Sequence, residues 1–507
     1  MELENRKSIL RDVFTEQLIH WGLGKHKADI EDVVERLLSN IDPQRSYGAP
    51  GRSRLSAAIA EAHQEVFLHY YDMPKDQARA LSTALVMWET VTAVQSATGN
   101  AETIPLSMVT GLEATRRHRF LFVSDEWLPR SGGISTFNVG LATALATEHH
   151  VGCYLPRALE QEKQLATSAS VQLFESNPSR FLVDLSAKLL SQLPEDLLKF
   201  APELIVGHDR RTGGIAMELR DRHFKNAKVC VIAHTAPHVI EKHKIDRKGL
   251  DEIATGLTER SEYLASLLEA ADIAFAVGPR LKRQTKSLVR PECTINLLTP
   301  GADIQDKPAP SGKNRFILLF GRAEDAVLKG VELAHDVARV LKRKQLHSYA
   351  WNIRGVPRAD FPQFVDRYKH FDLPQLYDAD PDVLARTIDR AELVLMPSLE
   401  EGFGLVALEA IANNRPVLIS AQSGVAEFLR SSCPGYSDRF IVSTEDLDNR
   451  IPDPHKVVDN WAAAIEHVFE NWESAMVDVG RIREALRLRE GWKSAKIEFL
   501  ATCFPIA

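Results

Sequence analysis

Two glutamates, Glu401 and Glu409, frame a glycine-containing turn near the C-terminal end of the sequence. The apolar run 393–396 predicts a buried strand before the turn, and the run that begins at Leu405 predicts a helix after it. Glycines in the 402–404 turn allow the backbone to approach a ligand closely, and the amino end of a helix offers free N–H groups to an anion. The arrangement therefore suits a ligand that combines phosphate with hydroxyl groups, such as a sugar joined to a nucleotide diphosphate.

Length and composition are those of an ordinary globular protein with two or three domains, since the chain has 507 residues of which 44% are apolar. The formal net charge of −7 gives no reason to expect a nucleic-acid partner. The sequence has no apolar run of about 18 residues that would predict a transmembrane helix. The charged N-terminus lacks the apolar region of a secretory signal, and the five cysteines lack C-x-x-C spacing. We therefore expect reduced thiols and a cytoplasmic location.

The first 110 residues differ in pattern from the rest of the chain. Apolar residues recur at helical spacing in the segments 9–18, 30–38 and 55–67, and glycines and prolines separate these segments. The pattern predicts an all-helical accessory domain over 1–110. Because no catalytic motif falls within it, we expect this domain to dock a protein partner or to mediate self-association.

Strands and helices alternate from about residue 118 onward, which predicts an α/β fold with parallel sheets. A first set of strands is predicted at 119–124, 151–155, 204–207, 228–233 and 273–277. A second set is predicted at 316–320, 349–353, 393–396 and 416–420. We therefore expect two tandem Rossmann-like domains that face each other across a cleft, and one C-terminal helix after them. The predicted bounds are 116–305, 312–485 and 486–507.

The stretch from Pro397 to Ala410 resembles the E-x7-E signature of retaining glycosyltransferases of family 4, which have the GT-B fold, with Glu401 and Glu409 at the two glutamate positions. The segment 415–427 resembles the strand and loop that follow in that family. The resemblance implies transfer of a hexose from a nucleotide-diphosphate sugar (a UDP-, GDP- or ADP-sugar) to an acceptor that the sequence does not identify. It also implies a C-terminal helix that crosses back onto the first Rossmann-like domain, and no further cofactor.

The segments Gly321-Arg322 and Lys329-Gly330 resemble the family's G-R and K-G element, in which the arginine and the lysine hold the diphosphate. Breaking the sugar–phosphate bond leaves extra negative charge on the nucleotide. Fixed cations aimed at that charge stabilise the transition state by roughly 3–4 kcal/mol each. The resemblance therefore implies a catalytic role for Arg322 and Lys329 and a nucleotide-binding role for Gly321.

Two further features of the first predicted domain resemble the same family. Gly132 and Gly133 lie between its first strand and first helix, where the family has a Gly-Gly loop over the diphosphate. His234 follows the strand 228–233, where family members carry a histidine near the reacting sugar carbon. We expect His234 to contact a sugar hydroxyl. His208 ends the preceding strand and is a second candidate to face the mouth of the cleft.

The resemblance gives each part of the 401–409 segment a role. Glu401 would contact the donor sugar, and Glu409 would accept hydrogen bonds from the ribose hydroxyls. The residues that complete the donor-binding turn are Gly402, Phe403, Gly404 and Leu405. Retention would follow from same-face attack, in which the leaving phosphate takes the proton of the acceptor.

The segment Asp378-Ala379-Asp380 matches the D-x-D metal motif of a different glycosyltransferase fold. That motif requires both carboxylates at the end of a buried strand, where they can meet a divalent cation. Pro381 follows here and a helix is predicted to begin, so Asp380 is expected to cap that helix. We therefore expect no required metal.

Two other functions remain open for this pattern. One is a sugar-nucleotide epimerase of the same fold. The other is a degenerate protein that binds a nucleotide sugar as a sensor or scaffold. Because nucleotide affinity and transition-state stabilisation depend on the same residues, Lys329 and Glu409 separate a sensor from a transferase poorly.

Overall fold

The computed structural model describes the chain between residues 117 and 504, with short gaps. The described residues are 117–128, 132–176, 184–190, 193–243, 250–321, 325–345, 347–356, 361–369, 371, 375–376, 381–446 and 453–504. They belong to one compact unit, Arg117–Phe504. The predicted helical domain over 1–110 lies outside the described residues, as do Arg322 and the 378–380 segment.

In the described residues, seven strands form the first sheet. They are β1 Arg119–Val123, β2 His150–Leu155, β3 Val171–Glu175, β4 Leu204–His208, β5 Lys228–Ala233, β6 Ile273–Val277 and β7 Asn296–Leu298. All pair in parallel, in the order β3-β2-β1-β4-β5-β6-β7. The apolar run 120–123 in β1 is fully buried, as expected for a parallel sheet that helices cover on both faces.

Helices connect these strands. Because the strands are parallel, their carboxyl ends all lie together at one end of the sheet, here called its carboxyl edge. The helices are α1 Gly133–Ala146, α2 Glu160–Ser168, α3 Leu185–Leu190, α4 Glu195–Phe200, α5 Asp209–Arg222, α6 Pro237–Ile240, α7 Leu250–Ala270 and α8 Pro279–Lys286. A ligand of such a doubly wound sheet binds beyond the carboxyl ends of the strands.

The second sheet has six parallel strands within the described part of the chain. They are β8 Phe316–Phe320, β9 Ala350–Val356, β10 Gln375–Leu376, β11 Leu393–Met396, β12 Val417–Ser420 and β13 Ile441–Val442. Their order is β10-β9-β8-β11-β12-β13. The helices of this part are α9 Val331–Lys344, α10 Phe361–Arg367, α11 Pro381–Arg390, α12 Leu405–Ala412, α13 Gly424–Ser432, α14 Pro454–Glu470, α15 Trp472–Leu488 and α16 Trp492–Cys503. Among the residues that the structure describes, no helix is long and apolar enough to cross a membrane.

The predicted α/β fold with two parallel sheets is confirmed, and the strands that the sequence did not predict are the four at the sheet edges. These are β3, β7, β10 and β13, and two of them are only two residues long. An edge strand has a neighbour on one side only. It therefore needs fewer apolar residues, as Gln172 in β3 illustrates, and gives a weaker sequence signal.

The expectation of one helix over 486–507 is wrong, because α15 ends at Leu488 and α16 begins at Trp492. Glu490 and Gly491 between them have φ values of 54° and 56°, in the left-handed region that ends a helix. The Asp303 side chain occupies the space that a Gly491 Cβ would need, so this turn is closely packed.

The helix α16 packs against the first sheet and against α1. The Phe499 ring stacks on Phe275 with 5.5 Å between centroids. Trp492 meets Phe137 edge-on at 5.4 Å, and its ring lies where a Cβ on Gly140 would be. The last helix of the chain thereby becomes part of the first domain's core.

Two helical glycines give a matched test of the packing of α16. An alanine usually stabilises a helix interior by about 1 kcal/mol relative to glycine. We expect this gain for Gly480→Ala, because a Cβ there meets no atom within 4 Å. For Gly140→Ala we expect a loss of about 1–3 kcal/mol, because the new methyl group would overlap the Trp492 ring. Urea unfolding of both variants measures the difference, and equal stabilisation would contradict the described packing.

Candidate active site

The sequence-predicted site residues that the structure describes lie at or next to the carboxyl ends of the strands of both sheets. In the first domain, Gly133 begins α1 after β1, and His234 follows β5. In the second, Glu401 follows β11 and Leu405 begins α12. Parallel strands place the loops that follow them at the carboxyl edge of each sheet, which is where ligands of this architecture bind.

Close contacts bring these two edges together. A Cβ on Gly402 would lie 2.5 Å from the carbonyl oxygen of His234, so only glycine permits this approach. A Cβ on Gly133 would lie 3.7 Å from Cδ1 of Leu405. The Phe403 ring packs against Gly278, where a Cβ would lie 2.5 Å from it. The predicted residues of the two domains therefore meet at the 402–405 turn.

Lys329 pairs with Glu401 inside this arrangement. Its Nζ lies 2.6 Å from Oε2 of Glu401, and the Ser398 hydroxyl donates to the same oxygen at 3.3 Å. The turn that carries Lys329 is held against the segment after β11, because Leu399 N donates to the Leu328 carbonyl at 2.9 Å. These contacts place an ammonium group beside the glycine turn at the amino end of α12.

The turn before α9 requires a glycine. Gly330 has φ 68°, a left-handed conformation that most residues avoid. A Cβ on Gly330 would also overlap the Pro397 carbonyl oxygen. The lysine–glycine pair of the sequence therefore has a structural reason, since Gly330 lets Lys329 reach the strand end that carries Glu401.

Glu409 lies on α12 and is partly buried. Burial raises the pKa of its carboxyl group to about 7. Among the described residues, none donates a hydrogen bond to this carboxylate. In its ionised form, both of its oxygens are therefore available to accept hydrogen bonds from a ligand.

Gly321 follows β8 and is supported by the neighbouring strand. Its N–H donates to the Arg354 carbonyl at 2.9 Å. Arg354 itself is buried in β9 and donates to Thr387 Oγ1 at 2.8 Å. Gly321 thus directly follows β8, and Arg322 lies outside the described residues.

His208, the second candidate to face the mouth of the cleft, does not face it, because this residue is only 1% exposed. It lies behind His234, with 3.0 Å between its Nδ1 and Nε2 of His234. Its Nε2 lies 3.0 Å from Oδ1 of Asn138. No sequence pattern pointed to Asn138, because a single asparagine within a helix has no recognisable pattern.

The backbone around His234 is held by Asp209. Asp209 Oδ1 accepts a hydrogen bond from His234 N at 2.8 Å, and Oδ2 accepts one from the Thr235 hydroxyl at 3.0 Å. Asp209 has φ 49°, an uncommon conformation for a residue with a side chain. Burial raises its pKa to about 6. These bonds fix the position of the His234 carbonyl that meets Gly402.

A group of charged residues joins the two domains beside the site, and the sequence analysis did not identify it. Arg280 on α8 forms two bonds to Glu400, Nε to Oε1 at 2.7 Å and Nη2 to Oε2 at 2.8 Å. Gln284 donates to the same glutamate at 2.8 Å. Arg283 reaches Glu427 of α13 at 2.8 Å. Glu400 directly precedes Glu401, so the pairing anchors the segment that carries the site.

Metal ligation has no candidate cluster in the described part of the chain, where no group of three or more His, Cys, Asp or Glu residues could hold an ion. The five cysteines are free.

The two parallel sheets have the fold of a glycosyltransferase with two Rossmann-like domains. Residues 121–499 match the model of the GT4-conflict family, described as family 4 glycosyltransferases in conflict systems. Because this match covers most of the chain, the protein belongs to that family. The predicted family relationship is thereby confirmed.

Two D-inositol 3-phosphate glycosyltransferases are similar in sequence. The one from Pseudarthrobacter chlorophenolicus is 31% identical over 215 residues, which are 39% of this chain and 47% of that protein. The one from Mycobacterium marinum is 39% identical over 88 residues, which are 17% of this chain and 16% of that protein. The matches thus span less than half of the length of each of these curated relatives.

Solved structures share the fold at low sequence identity. Sucrose-phosphate synthase from Thermosynechococcus elongatus has a TM-score of 0.57 and 17% identity, over 76% of this chain and 97% of that chain. Anabaena HepE, solved in complex with UDP and glucose, has a TM-score of 0.54 and 14% identity, over 77% of this chain and 100% of that chain. At such identities the likeness concerns the fold alone.

The two arginines of α8 give a matched test of the charged group that joins the domains. Arg280 has 20% of its side chain exposed and pairs with a glutamate that is 4% exposed, whereas Arg283 is 64% exposed. Arg280→Ala leaves Glu400 buried without its main partner, so we expect a loss of about 3–5 kcal/mol in unfolding free energy. Arg283→Ala should cost at most about 1 kcal/mol. Urea unfolding distinguishes the two, and equally small losses would show that Glu400 does not depend on Arg280.

Proposed function

We propose that the protein is a retaining glycosyltransferase that moves a hexose from a nucleotide-diphosphate sugar to an acceptor hydroxyl. One observation carries the proposal. Lys329, Glu401 and the amino end of α12 lie together at the carboxyl edge of the second sheet, against His234 of the first. A cation and free backbone N–H groups can bind the phosphates of a sugar diphosphate, and a carboxylate and a histidine can bind its hydroxyls.

In this proposal the diphosphate binds between Lys329 and the amino end of α12. The first turn of α12 carries no acidic residue, so its N–H groups have no competing carboxylate on the same helix. Lys329 exchanges its bond to Glu401 for a phosphate oxygen. Glu401 then has an oxygen available for a hydroxyl of the donor sugar.

The nucleoside would lie toward Glu409. The Glu409 carboxylate would accept hydrogen bonds from both ribose hydroxyls. It can do so because it is partly buried and no described residue donates a hydrogen bond to it. A buried acceptor without a donor is costly, so occupation of this position by the ribose contributes to affinity.

The reaction needs no further cofactor in this scheme. The bond between the sugar carbon and the phosphate oxygen breaks, and the acceptor oxygen attacks the same face of that carbon. The acceptor proton passes to the leaving phosphate oxygen. Lys329 stabilises the charge that develops on that oxygen, while His234 orients a sugar hydroxyl.

A thermal-shift screen against UDP, GDP, ADP, TDP and their hexose conjugates tests the donor assignment. A ligand that binds only the folded protein must raise the melting temperature. We expect one nucleotide and its sugar conjugate to do so, and the Glu409→Ala variant to lose most of the shift. No shift with any of them, or an undiminished shift in the variant, would contradict the proposal.

Turnover of the donor found in that screen tests the role of Lys329. We expect Lys329→Ala to lower kcat by about 10²–10³-fold, because a fixed cation at the leaving group contributes to the transition state. The pair of Lys344 with Glu466, at 2.7 Å, offers a matched control away from the site. Lys344→Ala should leave kcat unchanged. Donor binding without turnover in the parent protein would favour the sensor alternative instead.

A further inference from the structure

A chain of three side chains leads from the core of the first domain to the site. Asn138 on α1 contacts His208 at the end of β4, with 3.0 Å between Oδ1 and Nε2. His208 in turn contacts His234 after β5, with 3.0 Å between Nδ1 and Nε2. Asn138 and His208 are buried, whereas His234 is partly exposed at the interface with the 402–405 turn.

The orientation of the Asn138 side-chain amide decides where the first proton lies. Its Nδ2 is directed to Sγ of Cys153 at 3.7 Å, which leaves Oδ1 for His208. An amide oxygen only accepts hydrogen bonds. Nε2 of His208 must therefore carry the proton that joins them.

The remaining protons follow from the neutrality of both rings. Burial lowers the pKa of His208 to about 3, and it also lowers the pKa of His234 well below its usual value. A neutral imidazole carries one proton. Nδ1 of His208 is therefore bare and accepts from Nε2–H of His234, so Nδ1 of His234 is bare as well.

Packing holds the rings in these positions. Phe137 meets His234 edge-on at 4.9 Å, and Phe122 stacks on His208 at 6.3 Å. Asp209 fixes the His234 backbone at 2.8 Å. Among the described residues, none forms a hydrogen bond with Nδ1 of His234, which is thus the ring nitrogen left for a ligand.

We propose that Asn138 and His208 are positioning residues that fix His234 as its Nε2–H tautomer, so that Nδ1 serves only as an acceptor for a hydroxyl of the donor sugar. The inference rests on the proposed function for the identity of the ligand. The fixed tautomer also limits which donor sugars the site would accept. A sugar with a hydroxyl at this position donates to Nδ1, whereas a carboxylate there, as in a hexuronate, meets a lone pair and is rejected.

Nitrogen-15 NMR of histidine-labelled protein tests the tautomer directly, because protonated and bare ring nitrogens have well separated shifts. The His234 signals are assigned by their loss in His234→Gln. We expect Nε2–H alone in the parent protein. His208→Phe and Asn138→Leu should both give a mixture of tautomers, and the second keeps both histidines if the first fails to fold. His118→Phe removes another buried histidine, near the amino end of β1, and should leave the His234 signals unchanged.

Calorimetry adds a readout that a purely structural role would not change. In His208→Phe we expect about five- to tenfold weaker binding of the hexose conjugate, the effect of one hydrogen bond, with unchanged binding of the nucleoside diphosphate. An Nδ1–H tautomer in the parent protein, or an unchanged tautomer in both variants, overturns the inference. If no nucleotide sugar binds, the proposed function fails, while the NMR result still decides whether Asn138 and His208 set the tautomer.

Discussion

The contact between the His234 carbonyl oxygen and Gly402 determines how the two sheets meet. Loops follow the strands at the carboxyl edge of each sheet. The loops of the two sheets form one site only if these two edges come together. The missing side chain at Gly402 allows the approach, and the bonds from His234 N and Thr235 to Asp209 hold the other side of it. The contacts of Phe403 with Gly278 and of Leu405 with Gly133 follow from the same approach.

The two consecutive glutamates at this edge form ion pairs with different partners. Glu400 is buried and bonded to Arg280 of the other domain, whereas Glu401 pairs with Lys329 of its own domain. A buried carboxylate needs a cation and hydrogen bonds to offset the loss of hydration, and Arg280 with Gln284 supplies them. The Lys329–Glu401 pair is more exposed and lies within one domain, so the proposed exchange of Lys329 from Glu401 to a phosphate would leave the contact between the domains intact.

Burial shifts the pKa values of the two histidines and of the Glu409 carboxyl in opposite directions. It keeps His208 and His234 neutral and raises the pKa of the Glu409 carboxyl to about 7. A neutral histidine pair can hold one fixed pattern of protons, which a titrating pair cannot. Glu409 lacks a protein donor among the described residues, so hydroxyls of a ligand are the groups that would favour its ionised form.

The sequence by itself determined the fold class, the central strands of both sheets and the local motifs around Gly133, Lys329, Glu401 and Glu409. These depend on neighbours along the chain, such as an apolar run that leads into a glycine turn. It did not give the edge strands, where partial burial weakens the pattern, or the break in the tail at Gly491, where Asp303 leaves room only for glycine.

Only the tertiary structure decided that His208 lies behind His234 instead of facing the cleft, and that Asn138 stands behind both. It alone paired Arg280 with Glu400 across the two domains. Such pairings join residues that are far apart in the chain, and no local periodicity or motif encodes which of them will touch. They exist because the strand ends of two sheets are packed against one another, which is a property of the folded chain.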